Sequence, residues 1–208
     1  MKKGTTMIVA LGFVFLGGCY ESYQRYGTDM TPLETCVVAV TTNALDGADV
    51  TVDGEPIDGE VELAVGSTHT FAASAIGYFP TSVVVEVADE CAPVEIQLLP
   101  NLNGWYDLVL DGRSYRRFTM QIRQDEGSED LVADIWREGT PASEHPYQHF
   151  AGAVTYDRDV HLLSEDSARL DLWGVWTPPR LGGIARIGGG FNYLSTDEDG
   201  DWLAESRP

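Results

Sequence analysis

The chain has 208 residues and a formal net charge of −20, from 33 acidic and 13 basic side chains. That length allows one large domain or two small ones. The acidity excludes nucleic acid as a partner, because such a chain repels phosphate backbones and anionic surfaces.

In chain order, Lys2 and Lys3 give a short positive region, and Met7 to Leu16 is apolar or glycine throughout. Gly17 and Gly18 supply small residues before Cys19. This is the order of a secretory signal, and its apolar run is shorter than the ~20 residues a membrane-crossing helix needs. Leu16-Gly17-Gly18-Cys19 resembles the bacterial lipobox. The resemblance implies removal of residues 1–18 and lipidation of Cys19, so that acyl chains hold the protein to the cell envelope. Tyr20, where inner-membrane relatives of the enterobacterial type carry Asp, points to the outer membrane. Loss of the signal removes both lysines and takes the formal charge to −22.

Residues 19–32 are polar and aromatic without periodicity and read as a tether. Residues 31–100 carry twelve acids and no Lys or Arg, whereas residues 101–208 carry nineteen acids, ten arginines and all five tryptophans. Such a shift marks a module boundary, placed near Pro100-Asn101.

Residues 33–100 alternate in short β-branched runs. Turn signals separate them at Asp53-Gly54, Asp58-Gly59 and Gly77-Tyr78-Phe79-Pro80. Six or seven strands spaced this way predict a small sandwich. Three motifs occur in order: Gly47-Ala48-Asp49-Val50-Thr51-Val52-Asp53-Gly54, then Leu63-Ala64-Val65-Gly66, then Gly77-Tyr78 with Pro80. In this order they resemble PEGA and carboxypeptidase-regulatory-like modules of transthyretin-like type. Both families serve mostly as structural or binding attachments. Cys36 and Cys91 form an even pair in an oxidising compartment and are expected to be disulfide-bonded.

Residues 101–208 are read as nine short strands, the last three at Ile184–Gly188, Phe191–Leu194 and Trp202–Ala204. Gly188-Gly189-Gly190 and Asp199-Gly200 stand as turns between these three. Sequential strands of this kind predict an up-and-down antiparallel barrel of about eight strands. Gly104-Trp105-Tyr106 at the start, and Trp202 to Arg207 at the end, resemble the lipocalin-like small barrels of bacterial lipoproteins. The expected class is all-β, a small sandwich followed by that barrel.

Chemistry is sparse. His145 and His149 have zinc-like spacing only on a helix, which Pro141 and Pro146 disfavour. Asp197-Glu198-Asp199-Gly200-Asp201 has calcium-loop composition but lacks the Gly and Glu positions of an EF-hand. It reads as a hairpin turn whose acids face water. No metal or cofactor is expected. Trp173 and Trp176 fall on opposite strand faces, so one of them is the pointer to an exposed ligand-stacking patch. The expected function is non-catalytic binding or scaffolding by an envelope lipoprotein, with a glycan, a protein or an apolar ligand as partner. The alternatives are a hydrolase using paired carboxylates and a carrier holding a small apolar ligand in the barrel.

Overall fold

The computed structural model describes residues 21–26, 29–142, 144–166, 169–181 and 183–208, and for residues 21–33 the backbone path alone. The signal and Cys19 lie outside the described residues. Among the described residues there are sixteen strands and no helix.

β1 (Glu21–Tyr26) and the first part of β2 (Asp29–Thr42) pair antiparallel from Tyr26↔Asp29 to Glu21↔Glu34. The stretch read as a tether therefore contains a hairpin. β3 (Asp49–Val52), β4 (Glu55–Ile57), β5 (Glu60–Ala64), β6 (Thr68–Ser74), β7 (Thr81–Glu86) and β8 (Val94–Ile96) complete the first module. Successive segments of β2 pair with β1, β5 and β8, the last in parallel, to make one sheet. The second sheet has the order β4-β3-β6-β7. Val38 and Leu63 from the first sheet share a buried core with Val52 and Phe71 from the second. Asp53 (φ 52°) and Gly54 (φ 89°) both take left-handed backbone, which is what a two-residue β3–β4 hairpin of type I′ requires. Cys36 and Cys91 are bonded, with Cα atoms 5.5 Å apart.

The second module consists of β9 (Gly104–Asp111), β10 (Tyr115–Gln124), β11 (Asp130–Arg137), β12 (Gln148–Val154), β13 (Asp159–Ser164), β14 (Leu170–Thr177), β15 (Arg186–Tyr193) and β16 (Glu198–Ser206). Each pairs antiparallel with the next, and β16 returns to β9, closing an eight-stranded barrel. Closure removes every free sheet edge from this module.

Two of the expected turns are interior to strands. Gly188-Gly189-Gly190 lies within β15 and Asp199-Gly200 within β16. The glycines are there because indoles cover them. A Cβ on Gly190 would sit 2.7 Å from the Trp173 ring on the outer wall. A Cβ on Gly189 would collide with the Trp173 carbonyl oxygen. That carbonyl accepts a 2.9 Å hydrogen bond from Trp202 Nε1, whose strand pairs with Gly189. The candidate strands Ile184–Gly188 and Phe191–Leu194 are thus one strand, and the barrel has the expected eight.

The barrel is filled. Leu108, Met120, Ala133, Leu162, Leu172 and Ile187 have no accessible surface at all, and Phe150 and Phe191 have 1%. A cavity wide enough for a ligand would leave surface on such residues, so the interior is a packed core. The outer wall carries Asp107, Arg123, Asp134, His161, Asp171, Arg186 and Glu205, on strands distributed round the barrel. Apolar inside and charged outside is the reverse of a lipid-facing barrel.

The two modules share one core. Leu98, Leu99 and Leu102 of the connecting segment are buried, and Gly77-Tyr78-Phe79 packs against them. Phe79 N–H donates to Leu99 O (2.9 Å), and Asn101 N–H to Gly77 O (2.8 Å). Asn43 bridges the modules: its Nδ2 donates to Leu98 O (3.0 Å) and to Tyr156 O of the barrel (2.9 Å). Gly77 has φ 83°, and a Cβ there would lie 2.8 Å from Pro179 and 3.0 Å from Trp176. The motif that reads as a turn in the sequence is therefore also the joint between sandwich and barrel.

Candidate functional site

Of Trp173 and Trp176, one of them expected to be exposed, Trp176 is completely buried, edge-on against Tyr78. It belongs to the module joint. Trp173 is 47% exposed and lies over Gly190 on the outer wall. Across the β13–β14 pairing it faces His161, whose Nε2 is 2.6 Å from Asp171 Oδ1. The two tryptophans do not form one patch.

A different pair does. β9 turns Trp105 outward and β11 turns Trp136 outward, and β10 between them contributes Thr119. The two indoles are 5.3 Å apart at an angle of 40°. Trp136 is almost wholly buried on the outside of the barrel because the β11–β12 loop covers it, and its Nε1 donates to Glu144 O at 3.0 Å. Together with Gly104, Thr140, Ala142, Arg207 and Pro208 these residues line a groove of about 560 Å³.

Arg207 is locked in place there. Its backbone N–H donates to Trp105 O at 2.8 Å, continuing the β16–β9 ladder by one residue. Its Nε donates to Asp107 Oδ1 at 2.8 Å and its Nη2 to Thr119 Oγ1 at 2.9 Å, with a second Nη2 contact to the same Asp107 oxygen. Because Thr119 Oγ1 accepts from arginine, its own hydrogen is free to point elsewhere. A planar guanidinium, braced by Asp107, and a hydroxyl thus line the groove with the partly exposed Trp105 and the nearly buried Trp136. A groove that sets aromatic surface beside convergent polar groups can take a small ligand that is itself part apolar and part polar. The sequence contains Trp105 and Arg207 at opposite ends of the module. Only the closing β16–β9 pair brings them together.

Next to this groove, Asp134 is buried on the outer wall. One of its oxygens takes Arg123 Nη2 (2.6 Å) and the other takes His149 Nδ1. His149 is thus a strand residue held by a carboxylate, whereas His145 lies in the loop before it. Among the described residues, no group of three or more His, Cys, Asp or Glu could hold a metal. In the acidic segment, Glu198 does not face water. It points into the barrel mouth, is 6% exposed and pairs with Arg116 Nη2 at 2.8 Å. The Arg116 cation is the partner of its Oε2, and β16 begins at Glu198, four residues before the expected start at Trp202.

Ser67, His69 and Asp53 form a second polar chain, in the sandwich. Ser67 Oγ is 2.7 Å from His69 Nε2, and His69 Nδ1 is 2.6 Å from Asp53 Oδ2. The spacing matches a nucleophile, a base and an orienting carboxylate. Ser67 Oγ, however, is also bonded to Ala64 O, and Ser67 N–H donates to the same carbonyl at 3.1 Å. Gly66 N–H is committed to Val87 O (2.8 Å). The two amides nearest the hydroxyl are therefore occupied and cannot serve as oxyanion donors. The chain fastens the β5–β6 turn to the β3–β4 turn. Asp53 Oδ1 accepts the Thr70 N–H (2.9 Å), and this bond, with His69, holds the Asp53 carboxyl below the usual carboxylate range.

Fold and groove together define a two-module all-β protein with a solid barrel and an external aromatic cleft. No protein-family model, curated protein or solved structure matches the chain.

Proposed function

We propose that this is a lipid-anchored envelope protein that binds a neutral glycan in the Trp105–Trp136 groove. The groove itself is the observation that carries the reading. Sugar rings present apolar C–H faces that stack on indoles and a hydroxyl edge that needs paired donors and acceptors. Arg207 lines the groove with its donors, and Asp107 is bonded beside it. Their charges offset each other, which favours a neutral ligand over an anion or a cation. The filled interior supports wall binding over carriage of an apolar ligand inside the barrel.

Anchorage through Cys19 would hold the protein at the envelope, within reach of its glycans, and Tyr20 after that cysteine favours the outer membrane. The PEGA-like and lipocalin-like resemblances fit a module pair used for attachment and recognition. Retention of the mature protein on insoluble cell-wall polysaccharide, compared with its Trp105→Ala variant, tests the reading. Equal retention of both would end it.

A further inference from the structure

The two edges of the second sandwich sheet are treated differently. β4 at one edge has three residues, one of them Pro56, and proline with shortness is how sheets guard an edge against pairing. β7 at the other edge has six residues, Thr81-Ser82-Val83-Val84-Val85-Glu86, with no proline or lysine. Val84 is 70% exposed.

The direction of its free hydrogen-bonding groups follows from the ladder. Val87 N–H donates to Ser67 O (2.8 Å), and the β6–β7 register pairs His69 with Val85 and Phe71 with Val83. Antiparallel pairs alternate between bonded and unbonded. Val83, Val85 and Val87 therefore bond inward to β6, and Ser82, Val84 and Glu86 aim their N–H and C=O groups away from the sheet. No described strand pairs with that side. The flanking side chains are acidic: Glu86, then Asp89 and Glu90, all exposed. No Lys or Arg occurs anywhere in residues 31–100.

We propose that the free edge of β7 is a docking site for an extended, basic segment of a partner protein, which adds as a further strand. Backbone bonds to Ser82, Val84 and Glu86 supply the pairing, as in other strand-addition complexes. The acidic surround selects lysine- or arginine-bearing segments and repels a second copy of this equally acidic sandwich.

Hydrogen exchange on the mature chain tests this, with two synthetic octapeptides as probes, one alternating Val and Lys and the other Val and Glu. The Val-Lys peptide is expected to slow exchange at the Ser82, Val84 and Glu86 amides. It should bind at least tenfold more tightly than the Val-Glu peptide and weaken as salt is added. Val84→Pro removes an outward N–H and no bond to β6, so it should abolish binding while the thermal transition is retained. Two results would overturn the proposal. One is the absence of protection by the Val-Lys peptide on the wild-type chain. The other is protection of these amides without peptide in a self-associated chain that Val84→Pro makes monomeric.

Discussion

Tyr78 of the sandwich meets Trp176 of the barrel edge to face, with ring centroids 5.1 Å apart and planes at 87°. Both rings are buried in the core that the two modules share. Trp176→Ala should cost about 3–5 kcal/mol, the usual range for deleting a large buried aromatic. Gly77→Val should also destabilise, because it adds a side chain at positive φ against Pro179. Calorimetry should show one transition for the wild type and two for Trp176→Ala. A single, unshifted transition in the variant would mean that the modules are not coupled here.

Gly189 is predicted to resist replacement, as is Gly152, where a Cβ would collide with the His161 carbonyl oxygen. An alanine at Gly189 collides with the Trp173 carbonyl, so the β14–β15 ladder must part. Trp202→Phe removes the hydrogen bond to that carbonyl and part of a buried ring, and should cost about 2 kcal/mol. Urea unfolding of both variants checks the order. Gly189→Ala should be the more damaging.

The Cys36–Cys91 bond spans 55 residues of sequence. On the chain-entropy model, closing a loop of that length stabilises by about 4 kcal/mol. Reductant should lower the melting temperature of the wild type and leave a Cys36→Ala/Cys91→Ala variant unaffected. Equal melting with and without reductant would show that the bond contributes nothing.

Asp53 gives a pH prediction. Its carboxyl is held below its ordinary range, first by the Thr70 N–H and then by His69. A group depressed in the folded state contributes stability that is present above its unfolded pKa and lost as pH falls through its folded pKa. The wild type should therefore lose stability over the acid range below about pH 4. Asp53→Asn should be less stable at neutral pH and show a shallower acid limb. Parallel pH–stability curves for the two proteins would contradict this.

Strand periodicity made the all-β class and the barrel legible in the sequence. The alternation of Leu170, Leu172 and Trp176 with Asp171, Trp173 and Val175 is visible along the chain, and the structure buries the first set. Misreadings arose where a local signal lost to a tertiary one. Three glycines signal a turn, but two indoles lying over them make a strand. Asp-Gly signals a hairpin, but Glu198 reaching Arg116 from inside the barrel carries the strand through it. The hairpin at Tyr26 and Asp29 has no alternating pattern to announce it. The groove was not legible, because Trp105, Thr119 and Trp136 meet only through the β9–β10–β11 register and Arg207, just past β16, joins them only on barrel closure.

The glycan reading stands or falls on the wall groove. Isothermal titration of soluble, neutral cell-wall oligosaccharides into the mature wild type, Trp105→Ala and Arg207→Ala tests it directly. The account predicts saturable binding by the wild type and at least tenfold weaker binding by both variants, with melting temperatures within a few degrees of the wild type. Binding by Trp105→Ala as tight as the wild type's, or no binding by the wild type at millimolar sugar, would contradict it.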